Sequence, residues 1–241
     1  MRVLAVSPHL DDAVFSAGGE LATLAGAGHD VTVVTCFTAT VPDPAGFALA
    51  CQTDKGLAPD VDYMALRRDE DHAAMAVLGV HALHLALPEA PHRGYTSPAD
   101  LFAGIHQQDR VGKELVRQLG RLAADVWLAP QGLGHHVDHL HVVRAVARLR
   151  RPTAWWRDAP YVLREPDAQP SPDLPTGLAS LRLFGNAPRR ADACACYRSQ
   201  LGFQFAGEQR MRAALAGLDE PLLADPAAQA LLACVGAAAG C

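Results

Sequence analysis

Four short apolar runs, Arg2 to Ser7, Asp30 to Phe37, Ala82 to Leu87 and Asp125 to Ala129, are nearly continuous in aliphatic residues. That is the pattern of strands buried on both faces of a parallel sheet. Thr153 to Trp156 is a weaker fifth run. Between them the apolar spacing changes to the helical one: Ala13, Val14, Ala17, Leu21 and Leu24 predict a helix from Asp12 to Gly26, stopped by Gly26-Ala27-Gly28. Further helices are predicted from about Tyr63 to Leu78, Asp109 to Ala123 and Asp138 to Leu149. Strand and helix in alternation imply an α/β fold, a Rossmann-like three-layer sandwich with a mainly parallel sheet and helices on both faces.

Two long stretches, 38–62 and 88–107, are rich in Pro, Gly, Asp and Thr and lack periodicity, so they read as substrate-binding loops rather than spacers. Arg164 to Pro175, with four prolines, separates a core of 1–163 from a C-terminal extension of 164–241, in which Arg190 to Ala206 and Gln209 to Ala216 have helical patterns. The whole, 1–241, reads as one domain with the extension packed on the core.

With 241 residues, 50% of them hydrophobic and 20% charged, the chain has the composition of a soluble globular enzyme. Its formal charge of -5, with both signs interspersed, excludes the basic stripe of a nucleic-acid binder. The cysteines, Cys36, Cys51, Cys194, Cys196, Cys234 and Cys241, form no C-x-x-C pair and read as buried or incidental thiols of a reducing compartment. His9 and Asp11 interrupt the first apolar run well short of a signal-peptide core, and Ala230 to Gly240 is too short to span a membrane. A cytoplasmic protein with a small-molecule partner is expected, without a nucleic-acid partner or a membrane span. The Ala- and Leu-rich C-terminal segment can pack on the domain or on a second subunit.

Two clusters carry chemistry. Ser7-Pro8-His9-Leu10-Asp11-Asp12 follows the first strand, where open α/β sheets place ligands. One Asp there is explained by capping the next helix; two adjacent carboxylates and a histidine exceed what a cap needs. The second cluster, His135-His136-Val137-Asp138-His139-Leu140-His141, follows the fourth strand and holds four of the chain's 11 histidines. His136 and His139, three apart on a helix, can face one cavity, whereas His135 and His141 need not. Strands one and four can both be central, and His9, Asp12 and His139 then form the two-histidine, one-carboxylate set of an open catalytic zinc site, a set that also accepts ferrous iron.

At this point the chain resembles the LmbE-like, or PIG-L, zinc-dependent deacetylases of N-acetylglucosamine-type substrates. Their H-x-D-D turn is matched by His9-Leu10-Asp11-Asp12 and their H-x-D-H by His136-Val137-Asp138-His139. Arg67 and Glu70, Ala73-Ala74, Leu78-Gly79 and the late Tyr197-Arg198-Ser199-Gln200 follow the family's pattern in order. Three positions depart from it. Val137 replaces a common Pro, Phe37-Thr38-Ala39-Thr40 stands where many members have T-x-G-E, and Gly132-Leu133-Gly134-His135 lacks a tyrosine found before the second motif in some members.

The resemblance implies that His9, Asp12 and His139 hold zinc and that Asp11 is the general base toward a metal-activated water. It further implies that His136, oriented by Asp138, stabilises the oxyanion and protonates the departing amine, and that Arg67 binds substrate hydroxyls or an anionic aglycone. The implied activity is removal of an acetyl group from an N-acetylated amino sugar. A metallohydrolase of the same fold acting on another amide, and a non-catalytic metal-binding protein, are the alternatives. From spacing alone Arg67 is a surface arginine paired with Glu70 or Asp71, and Asp69, Glu70, Asp71 and His72 form a solvated helix face. Trp155 and Trp156 read as core or cleft wall. No G-x-G-x-x-G follows the first strand, which argues against a dinucleotide site.

Overall fold

The computed structural model describes residues 1–218 and 221–238. Cys241, the Cys234 side chain and the end of the Ala230 to Gly240 run lie outside the described residues. Along the chain run β1 (Arg2–Ser7), α1 (Asp12–Gly26), β2 (Asp30–Thr35), α2 (Gly46–Thr53), α3 (Tyr63–Leu78) and β3 (His81–His84). Next come α4 (Val111–Leu119), β4 (Val126–Pro130), α5 (Val137–Leu149), β5 (Thr153–Trp156) and α6 (Tyr161–Arg164). Last are β6 (Ala179–Leu181), α7 (Ala187–Cys194), α8 (Arg198–Phe205), α9 (Glu208–Ala216), β7 (Leu222–Ala224) and α10 (Pro226–Ala238). The sheet order is β3-β2-β1-β4-β5-β7-β6. The five strands from β3 to β5 are mutually parallel, and β7 pairs antiparallel with both β5 and β6.

Side chains alternate across a strand, so the continuous apolar runs supply two cores at once. Val3, Ala5, Val33, Leu128 and Trp156 face one side, where α1, α3, α7 and α10 pack through residues such as Leu21, Met75, Cys194 and Leu232. Leu4, Val6, Val34, Trp127 and Trp155 face the other and meet Leu115 and Leu119 of α4 and Val142 and Val146 of α5. Trp155 and Trp156 are therefore core on opposite faces, each 1% exposed. Among the described residues no helix is long and apolar enough to cross a membrane.

Several local expectations change. β3 is an edge strand of alternating exposure rather than one buried on both faces, because only β2 pairs with it. β2 ends at Thr35, and Phe37 bridges antiparallel to Ala86 instead. The stretch 38–62 contains α2, and 88–107 contains two 3-10 turns, Ala90–His92 and Asp100–Phe102. α4 starts two residues later than expected because Asp109 accepts a hydrogen bond from the Val111 amide at 3.1 Å. The helix expected from Arg190 to Ala206 is two, α7 and α8, joined through the buried Tyr197.

The face of α3 expected to be solvated is so only in part: Asp69 and His72 are exposed, whereas Glu70 and Asp71 are tied to the C-terminal extension. Asp71 is 1% exposed and accepts from the Tyr197 hydroxyl at 2.7 Å, with His84 Nε2 at the same distance from its other oxygen. Glu70 accepts from the Ser199 amide at 2.8 Å and its hydroxyl at 2.6 Å. These bonds fasten the start of α8 to α3 and bring Gln200 to the Tyr63 hydroxyl, 3.1 Å away.

Candidate metal and catalytic site

β1 and β4 are neighbours, so their carboxyl ends open side by side and the two histidine-aspartate motifs meet there. After β1, the Ser7 hydroxyl accepts from the Ala13 amide at 3.0 Å and donates to the His9 carbonyl at 2.7 Å. Ser7 thus satisfies an orphan amide of α1, and neither carboxylate is used as a side-chain cap. Asp11 has φ of 146°, a conformation costing about 1–3 kcal/mol in a residue with a side chain. The Asp12 carboxyl turns back to accept from the His9 amide at 2.9 Å, while that of Asp11 lies 3.6 Å from Arg67.

His9 Nδ1 lies 3.1 Å from Asp12 Oδ2, and His139 Nε2 lies 3.2 Å from the same oxygen. One ligand atom from each of His9, Asp12 and His139 falls within 4.8 Å of the others, and the same holds for His9, His136 and Asp138. The His139 ring is held from behind: its Nδ1 bonds Asp158 Oδ1 at 2.7 Å, while Asp158 Oδ2 accepts from the amides of Gly132 and Leu133. His139 Nε2 is buried with no hydrogen-bond partner. An unpartnered imidazole nitrogen aimed at a carboxylate and a second histidine is a donor set suited to a divalent ion, and a carboxylate behind the ligating histidine is the usual outer support.

Burial pushes the Asp11 carboxyl up to about 7, Asp12 and Glu89 adding to it and Arg67 and His9 opposing. Burial, with His9 and His139 nearby, takes His136 down to about 3, so its ring is neutral. Its Nδ1 accepts from the Asp138 amide at 3.2 Å, which leaves the hydrogen on Nε2. For His139, burial opposes the charge but Asp12 and Asp158 outweigh it, raising it to about 9. Carboxylates so close together form a field that a cation relieves.

The structure brings together His9, Asp11, Asp12, His136, Asp138 and His139, which line or underlie one cleft of about 330 Å³ with Arg67 at its side. His135 is exposed and His141 is turned away onto Asp109 at 3.0 Å. Two expectations change. The Asp138 carboxylate does not orient His136; it lies 3.0 Å from His9 Nε2 and accepts from Arg93 at 2.6 Å and the Ala90 amide at 3.1 Å. Asp138 holds the His136 ring through its backbone amide instead, at 3.2 Å from Nδ1. Arg67 is not a surface residue paired along its helix: it is 4% exposed, donates to Glu89 at 2.6 Å and to the Leu10 carbonyl at 3.1 Å, and lies 3.6 Å from Asp11.

Sequence reasoning missed Asp158, Glu89, Arg93 and Tyr161. Asp158 stands just past β5, at the same sheet end as the two motifs, and that position was its one available signal. Tyr161 fills space that a side chain at 134 would need. A Cβ on Gly134, whose φ is 76°, would stand 2.5 Å from the Tyr161 ring, and that ring meets His139 edge-on at 5.5 Å. The motif region that lacks a tyrosine in sequence thus has one over it in space.

A family described as PIG-L, GlcNAc-PI de-N-acetylase, matches residues 4–149. The chain is similar to 2'-N-acetylparomamine deacetylase of Streptomyces fradiae, 33% identical over 171 residues that make up 66% of this chain and 57% of that protein. It is also similar to 1D-myo-inositol 2-acetamido-2-deoxy-alpha-D-glucopyranoside deacetylase of Corynebacterium glutamicum (strain R), 33% identical over 146 residues, 58% of this chain and 49% of the other. The matches therefore span about half the length of these curated relatives. Among solved structures, teicoplanin deacetylase Orf2 in its zinc-inhibited form superposes with a TM-score of 0.72 at 25% identity, covering 93% of this chain and 97% of that one.

Proposed function

The chain belongs to the PIG-L, GlcNAc-PI de-N-acetylase, family, and on that premise we propose that it is a metal-dependent hydrolase that removes the acetyl group from an N-acetylated amino sugar. The observation that carries this reading is the buried Nε2 of His139, which makes no hydrogen bond and lies 3.2 Å from Asp12 beside His9, with the Asp11 carboxyl in the same cleft. The two curated relatives and the solved neighbour are named as deacetylases, two of them by an N-acetylated amino-sugar substrate. His9, Asp12 and His139 would hold the ion, zinc in this reading, with ferrous iron accepted by the same donors. When bound, such an ion polarises the acetyl carbonyl and makes water reactive near neutral pH.

The protein's own part follows from the geometry. Asp11, raised to about 7, takes the proton of the attacking water and passes it to the amine nitrogen as the carbon–nitrogen bond breaks, releasing acetate and the free amino sugar. Burial raises the affinity of the Asp11 carboxyl for a proton, which suits a group that accepts one and returns it. His136, neutral and with its hydrogen on Nε2, donates a hydrogen bond to the carbonyl oxygen as negative charge grows there. His136, which lines the same cleft, is the second group placed to hand a proton to the departing amine. Asp138 holds His9 in place through its Nε2 contact. Arg67 restrains Asp11 and, at the side of the cleft, meets the sugar hydroxyls.

We read 1–241 as one catalytic domain, because the extension from 164 supplies β6 and β7 to the sheet and α8 to the cleft. The setting is read as cytoplasmic, in keeping with the free thiols of Cys36, Cys51, Cys194 and Cys196.

The test is amine release from N-acetylglucosamine conjugates by metal-stripped protein, before and after addition of one equivalent of zinc or, without oxygen, of ferrous iron. Activity that appears with the ion supports the reading. Tight binding of the ion with no amide hydrolysis moves the site to a structural role.

A further inference from the structure

Resting on the deacetylase reading, we propose that the outer half of the cleft is a subsite for an apolar, ring-bearing aglycone attached to the amino sugar. The inner end of the cleft is lined by His9, Asp11, Asp12 and His136, and its mouth by Phe47, Leu101, Phe102 and Phe203. The mouth residues come from separate segments: Phe47 from α2, Leu101 and Phe102 from the turn Asp100–Phe102, and Phe203 from α8. Phe102 is 45% exposed and Phe203 60% exposed, in a chain whose other large rings mostly lie in the core. Rings left open around the mouth of a cavity are poised to bury ligand surface rather than to complete the fold.

Continuity with the reacting centre selects the occupant. Phe102 meets His136 edge-on at 5.4 Å and Tyr161 at 6.2 Å, so the exposed ring leads directly to the imidazole that faces the acetyl carbonyl. A group joined to the sugar and projecting from the cleft passes these rings. Charge at the mouth points the same way. Of the cations lining the cleft, Lys55 donates to the Cys51 carbonyl and lies 4.9 Å from the Phe203 ring centroid. Arg164 donates to Gln204 at 2.8 Å, and Arg67 is held by Glu89 and Asp11. Each is engaged, which leaves no cluster to recognise a phosphate or carboxylate, whereas the Phe102 and Phe203 rings keep much of their surface open beyond the contacts they make.

The experiment compares kcat/KM for amine release from the methyl, hexyl and phenyl glycosides of N-acetylglucosamine, in both anomers, and from N-acetylglucosamine 1-phosphate, using the zinc-loaded full chain. The phenyl glycoside is expected to exceed methyl by about ten-fold and hexyl to gain less, with no gain for the phosphate. Phe102→Ala and Phe203→Ala should pull the phenyl-to-methyl ratio toward one, while Phe184→Ala, on an exposed ring outside the cleft, should leave that ratio as it is. Turnover of every glycoside at one rate overturns this inference and leaves the deacetylase reading standing. Absence of turnover on all of them overturns both. A flat ratio together with a sedimentation shift in Phe203→Ala assigns the rings to a protein interface and also overturns the inference.

Discussion

Asp158 Oδ1 lies 2.7 Å from His139 Nδ1 at a fully buried contact, and this bond determines which ring nitrogen is left for a ligand. With Nδ1 committed to Asp158, Nε2 faces Asp12 and His9 with no hydrogen bond of its own. Replacing the carboxylate weakens both the orientation and the basicity of the ring. Asp158→Asn is therefore expected to lower zinc affinity by about 10- to 100-fold, read by competition with a chromophoric chelator, and to recover much of its activity when the metal is supplied in excess.

His136 acts through a neutral ring. Asp138's amide occupies Nδ1, and burial disfavours the charged ring, pushing its pKa well below the usual imidazole value. A donor of this kind matters when charge develops on the acetyl oxygen and little before. His136→Ala should lose about 10²- to 10³-fold in kcat with KM and metal content nearly unchanged, measured on a methyl glycoside with metal analysis alongside. A proportionate rise in KM would instead mark a ground-state contact.

Behind the site, Asp109 ties Arg93, Tyr95 and His141 together with contacts of 3.0–3.1 Å. Burial works against its charge, but His141 and Arg93 hold the carboxyl well below the usual range. A carboxyl depressed in the folded state contributes stability above its unfolded pKa, near 4, and that contribution is lost as pH falls toward the folded value. Asp109→Asn is expected to lose roughly 2 kcal/mol at pH 7 and to show a flatter decline in stability below pH 4 than wild type, both read from denaturant titrations. Arg93 keeps Asp138 in the variant, which limits the loss.

Much of the fold is legible in the sequence because its central strands are buried on both faces. β1, α1, α3 and β5 have the bounds that their apolar spacing predicts. Short and polar elements escape that signal. β6 and β7 have three residues each, and α2 buries only Gln52, so neither strand leaves a pattern and the helix shows no apolar stripe. Asp71 sits in a charged run and reads as solvated, yet its partner Tyr197 arrives from 126 positions away. The candidate site divides in the same way. His9, Asp11, Asp12, His136 and His139 stand in two compact motifs, whereas Asp158 and Arg93 are single residues in loops, placed only by the fold.

The central claim is that Asp11 moves the proton in hydrolysis of an acetylated amine. It is tested most directly by kcat for amine release from an N-acetylglucosamine glycoside, comparing wild type and Asp11→Asn at equal, measured metal occupancy. A loss of about 10²- to 10⁴-fold in the variant, with KM little changed, is the result predicted. Wild-type turnover by metal-loaded Asp11→Asn would contradict the account.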